Sequence, residues 1–160
     1  TAANNILESM CVRWPKYRDE FIANHKKLIS GLDELHVRFN AIEMPPVFAS
    51  HPAYNYLARR YGWNIRNLDL VPDEALSEDQ IKMIGSYQKE KPMRLLLWES
   101  VPLSENIEKL EKGLGIRSVV FSPCEMISED KTEEESDYLS LMHENIDVLV
   151  RAIAGHETEQ

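Results

Sequence analysis

The 160-residue chain has only six glycines, and none forms a glycine-rich turn between an apolar run and a following helix. That excludes the dinucleotide fingerprint and the phosphate-binding loop, whose backbones need glycine to approach a pyrophosphate. The G-x-S-x-G elbow is missing too. Two cysteines, Cys11 and Cys124, are too few for a disulfide framework and leave the redox compartment open. There is no Cys-x-x-Cys, and no two histidines stand four apart as in a helical zinc pair. Basic charge is scarce: 18 Lys+Arg against 27 Asp+Glu give a net charge of −9, with no basic run. Such a chain is a poor binder of nucleic acid or anionic membranes. No apolar run approaches the roughly 20 residues of a membrane span. Thr1–Asn5 lacks the basic and apolar regions of a signal peptide. What is present is one domain's length with 43% hydrophobic content, enough to bury a core.

The first forty residues read as helix. Ile6, Leu7 and Met10 open an apolar face, and Pro15 suits the first turn of a longer helix, where its missing N–H costs nothing. After it, Tyr17, Phe21, Leu28, Leu32, Leu35 and Phe39 fall at spacings of four, seven, four, three and four, with His25 filling the gap. That is one stripe of an amphipathic helix. Met44-Pro45-Pro46 stops it, because a residue before proline is pushed out of the helical region.

From Val47 onward, short apolar runs alternate with amphipathic segments. Val47–Ala49, Ile65–Leu70, Arg94–Trp98 and Arg117–Phe121 read as strands. Helices are expected over Pro52–Tyr61, Ser77–Glu90, Leu103–Leu114 and about Ser136–Ile153. Ser77 with Gln80 predicts a capping box, and Gly115 suits a helix exit. In the last helix Tyr138, Leu141, Met142, Leu149 and Ile153 form the expected buried stripe. This alternation predicts an α/β fold: a four-stranded parallel sheet with helices on both faces, preceded by a long N-terminal linking helix. Residues 1–44 form the helix and 45–160 the α/β lobe.

Ligands bind at the carboxyl ends of the strands of an open parallel sheet. His51, Glu99 and the Ser122-Pro123-Cys124-Glu125 run all leave the sheet from that edge. His51 should sit beside a helix N-terminus, whose partial positive charge keeps the imidazole neutral, as a metal or a proton acceptor requires. The alternative is a capping histidine with no ligand. Cys124 is a candidate ligand or a small buried hydrophobe. Glu99 is an orienting group, or pairs locally, or caps the next helix. The other histidines (His25, His36, His143 and His156) read as structural or solvated. Glu125–Asp137 holds seven acids against Lys131 alone, a solvated loop whose last acids favour the helix that follows, or a collector of cations.

Ser50-His51-Pro52-Ala53-Tyr54-Asn55-Tyr56 resembles the start of the C-terminal lobe of zinc/manganese solute-binding proteins of bacterial ABC transporters. Leu95–Ser100 is similar to that family's third strand, ending in Glu, and Val119–Pro123 to its fourth. Tyr138–Asn145 is similar to its final Tyr-x-x-Met-x-x-Asn helix. The approach to the long helix through Pro15 and Tyr17 is similar as well, so the resemblance covers nearly the whole chain.

The resemblance implies a cleft between two lobes bridged by the long helix, with two histidines from the N-terminal lobe and two ligands from the C-terminal lobe. His51 takes the first C-lobe position, as in zinc-type members; manganese-type members have Glu there. The family's fourth-strand Asp is replaced by Ser122, a poor zinc ligand, so Cys124 or Glu125 takes that place if the loop is remodelled. The metal set implied for this chain is thus His51 and Glu125. Because the chain begins at the linking helix, it looks like a C-terminal fragment or a natural half-protein. With so few donors it is expected to hold Zn2+ (or Mn2+) weakly by itself.

The function implied is a non-catalytic, extracytoplasmic or periplasmic receptor half, which delivers a zinc-like cation to an ABC permease and is completed by the missing N-terminal lobe. A metal-free α/β interaction module is the alternative, and an enzyme using His51 and Glu99 as an acid–base pair is a third reading. Apolar surface on the long helix makes a homodimer through the first helix an expectation.

Overall fold

Leu95-Leu96-Leu97-Trp98 has no charged side chain to offer either face, and like Val47-Phe48-Ala49 it forms a fully buried strand. The computed structural model describes residues 2–124 and 137–157, with side chains to Gly155. Its strands are β1 (Val47–Ala49), β2 (Ile65–Asn67), β3 (Leu95–Trp98) and β4 (Arg117–Val120). They form one four-stranded sheet in the order β2-β1-β3-β4. Every pairing is parallel. The helices are α1 (Ala2–Arg13), α2 (Arg18–Asn40), α3 (Asn55–Tyr61), α4 (Glu78–Glu90), α5 (Ser104–Leu114) and α6 (Tyr138–Glu157). None of the described helices is long and apolar enough to cross a membrane.

The chain divides into two compact units, Thr1–Asn40 and Ala41–Gln160. In the first, α1 ends at Arg13, and Pro15–Tyr17 forms a 3-10 turn with the proline at its start. The stripe foreseen along α2 divides in two. Leu35 and Phe39 are buried, whereas Tyr17, Leu28 and Leu32 stay substantially exposed. Phe21, His25 and Leu28 line a shallow apolar groove with Ile6, Leu7 and Met10 of α1. His25 is structural there, its Nε2 lying 3.1 Å from Asn4 Oδ1.

In the second unit, right-handed crossovers place α4 and α5 on one face. Their Ile84 and Leu110 join Phe48, Leu96 and Trp98 in the main core. Leu95, Leu97 and Val119 alternate to the opposite face, where α6 packs on β4. Gly62 and Gly115 close α3 and α5 in the left-handed region, at φ 71° and 65°. The capping box of α4 is complete: Gln80 N–H donates to Ser77 Oγ, and Ser77 N–H to Gln80 Oε1. Buried Asn106 fastens the loop before α4, accepting from Leu76 N–H and donating to the Glu74 carbonyl, each at 2.8 Å.

Two expectations need correction. The run from Ile65 to Leu70 is extended only to Asn67, because Asp69 adopts a left-handed φ of 56° that no strand can hold. The buried stripe of α6 is Met142, Asn145, Ile146, Leu149 and Ala152, and Tyr138 is half exposed. Its phase is set by Asn145, a polar residue that packs inward.

Candidate metal site

The strand order dictates where a site can form. From β1 the chain moves outward to β2, then returns across β1 to β3, so the direction of winding reverses between β1 and β3. Helices on the two faces diverge there and leave a crevice at the strands' carboxyl ends. His51 follows β1 and Glu99 follows β3, one on each side of that point.

His51 sits before the 3-10 turn Pro52–Tyr54 with extended backbone, and its side chain makes no capping bond. The capping alternative therefore does not describe it. The side chain is 37% exposed, and Nε2 lies 3.9 Å from Asp69 Oδ1. That exceeds a hydrogen bond, so the ring's outer nitrogen is available to a ligand. Proline at position 52 fixes the turn without needing an N–H partner.

Next to it, Tyr54 is buried at 1% exposure, and its hydroxyl donates to the Phe121 carbonyl at 2.7 Å. Its ring meets Phe121 edge-on, with centroids 5.5 Å apart. The turn after β1 is thereby tied to the end of β4. Burial, and then the negative charge of Glu99, push the Tyr54 phenol well above the ordinary tyrosine value near 10. The folded state thus holds this proton more tightly than the unfolded chain does. The associated stability is complete below about pH 10 and is lost as pH rises above it. Tyr54→Phe should therefore lose less stability than the wild type between about pH 10 and 12 in urea titrations. Equal losses in both proteins would contradict this account.

The segment after β4 is held by α6. Asn145 Oδ1 accepts from Ser122 N–H at 3.1 Å, and Asn145 Nδ2 donates to the Ser122 carbonyl at 2.8 Å. The Ser122 hydroxyl accepts from Cys124 N–H at 3.1 Å, so this oxygen serves the local turn. Cys124 has a left-handed φ of 62°. Burial pushes its thiol up, which disfavours the thiolate that a metal needs. Glu125 and the acidic run up to residue 136 lie outside the described residues. Asp137 caps α6, accepting from Ser140 N–H at 2.7 Å, and this bond holds its carboxyl below the usual range.

Among the described residues, no three His, Cys, Asp or Glu side chains gather closely enough to hold a metal. The structure brings His51 beside Asp69 and leaves Ser122 and Cys124 engaged with each other. Sequence reasoning missed Asp69 and did not anticipate the double bond of Asn145 to Ser122. For Asp69 the missing signal was its backbone conformation; for Asn145, a polar residue in an otherwise apolar helical stripe was visible.

Comparison with known proteins places the chain in a family and supports its fold. The family model described as zinc-uptake complex component A, periplasmic, matches residues 1–152. The zinc-binding protein AdcA of Streptococcus pyogenes serotype M3 is 27% identical across 98% of this chain and 32% of its own length. The high-affinity zinc uptake system protein ZnuA of Bacillus subtilis is 23% identical across 91% of this chain and 47% of its own. The chain thus spans a third to a half of these relatives. Among solved structures, the metal-dependent lipoprotein YcdH of Bacillus subtilis superposes with a TM-score of 0.83 at 23% identity, covering 91% of this chain and 57% of that one. The Zn(II)-bound ZnuA-like domain of Streptococcus pneumoniae AdcA gives 0.79 at 24% identity, covering 90% and 56%. The likeness extends over the α/β sheet and the helices before it, and the chain belongs to the zinc-uptake component A family.

Proposed function

We propose that this chain is the metal-receiving C-terminal half of an extracytoplasmic receptor that passes a zinc-like cation to an ABC permease, without catalysis. The observation that carries this is His51, an uncapped and half-exposed imidazole at the carboxyl end of β1, beside the point where the sheet reverses its winding. Imidazole suits zinc better than manganese, and zinc is named for the relatives AdcA and ZnuA. In this reading, residues 1–44 bridge two lobes and 45–160 form the second lobe. His51 and Glu125 are its ligands, and an N-terminal lobe supplies the rest. A homodimer through the helical segment of residues 1–44 belongs to the same proposal, supported by the exposure of Ile6, Tyr17 and Leu28.

Calorimetric titration of the chain with zinc and manganese, beside a His51→Ala variant, tests it. A single lobe offers fewer donors than the four positions zinc fills. The expected result is saturable but weak zinc binding, weaker manganese binding, and at least a tenfold loss in the variant. Zinc binding unchanged in His51→Ala would sink the assignment. No binding by either protein would favour the metal-free interaction module.

A further inference from the structure

We propose that Asp69 binds the same divalent cation as His51, an inference that takes its location from the receptor reading above. The register of β1 and β2 ends with Ala49 opposite Asn67, and just past these strands the side chains of His51 and Asp69 approach each other. Two backbone bonds tie the chain past the strands, the second one residue out of the strands' register. Leu68 N–H donates to the Ala49 carbonyl and Leu70 N–H to the Ser50 carbonyl, each at 2.9 Å. Both leucines are buried in the core. Asp69 is therefore gripped on either side, and the chain can bridge its neighbours only by the left-handed turn at φ 56°.

Glycine would take that turn without steric cost. An aspartate there offers the fold little in return. Its side chain is 96% exposed, and its approach to His51 is too long for a hydrogen bond. The pair instead has the dimensions of a metal edge. Zinc holds nitrogen and carboxylate oxygen at about 2.0–2.2 Å, so two such donors at a tetrahedral angle stand roughly 3.4 Å apart. Nε2 and Oδ1 are 3.9 Å apart. A side-chain rotation of about 0.5 Å closes the difference, and an exposed carboxylate is free to make it. An imidazole with one carboxylate suits a borderline cation such as zinc and also admits manganese.

The experiment is a zinc chloride titration of the full chain, followed through the His51 ring and backbone amide signals by NMR. It compares the wild type with Asp69→Asn, Asp69→Gly, His51→Ala and Glu125→Gln. The expected result is that Asp69→Asn and Asp69→Gly each weaken zinc binding at least tenfold. The amide spectra without metal should be unchanged away from residue 69, and Asp69→Gly should melt no lower than the wild type. Wild-type affinity in both Asp69 variants, with loss in His51→Ala, overturns the proposal and leaves the receptor reading standing. No zinc-dependent shift of His51 in the wild type up to millimolar metal overturns both. Loss in the Asp69 variants with none in Glu125→Gln upholds Asp69 and removes Glu125 from the ligand set.

Discussion

Asn145→Leu is expected to cost about 2–4 kcal/mol of folding stability, although leucine has the same branching and number of heavy atoms. The side chain is 8% exposed, and both ends of its amide are used by one residue, Ser122. Leucine would leave the partly buried N–H and carbonyl of Ser122 without these partners, and each such group costs roughly 1–3 kcal/mol when water does not replace the bond. Asn145→Asp separates the two bonds, since a carboxylate still accepts from Ser122 N–H but cannot donate to its carbonyl. Urea midpoints with an unchanged slope would measure both. A loss below about 1 kcal/mol in the leucine variant would mean that the segment finds other partners. The effect extends to the proposed function, because Ser122 lies three residues before Glu125. On the proposed ligand set, loosening this attachment also weakens zinc binding.

Trp98→Ala is expected to be more damaging, at about 3–5 kcal/mol. Trp98 is fully buried, lies in the main core with Phe48, Ile84 and Leu110, and donates from Nε1 to Ser118 Oγ at 3.2 Å. Its loss opens a cavity beneath β3 and leaves that hydroxyl without its donor. Domains of this size hold only about 5–15 kcal/mol in total, so the variant should melt roughly 10 °C lower. A melting temperature within about 3 °C of the wild type would show that the core closes over the gap. Trp98→Phe, which keeps most of the volume, should fall between the two.

Much of the lobe could be read from residue patterns because its strands and helices have different periods. Each of the four apolar runs holds a strand, although the second stops at Asn67, and the capping box at Ser77 and Gln80 formed as its residues imply. The place of His51 at the carboxyl end of β1 was legible too, because Pro52 marks where that strand gives way to the next turn. Less accessible were features that depend on neighbours distant in the chain. Alternation of strands and helices does not reveal that β1 lies inside β2 and β3, yet this order places the reversal of winding beside His51. Asp69 looked like part of a strand because Leu68 and Leu70 are apolar; its turn is imposed by bonds to Ala49 and Ser50. In α6, the bond to Ser122 draws Asn145 inward and rotates the buried stripe away from Tyr138.

The placement of β3 has a further consequence for how the protein behaves in crowded solution. Leu95–Trp98 is the segment best able to pair with a foreign strand, being short, apolar and uncharged. The sheet encloses it between β1 and β4, so its backbone has no free side. The outer positions go to β2, of three residues, and β4, of four, which carry Arg66 and Arg117 respectively. Short borders bearing charge are poor templates for another chain. The fold thus keeps its stickiest segment out of reach of aggregation for as long as β4 stays docked.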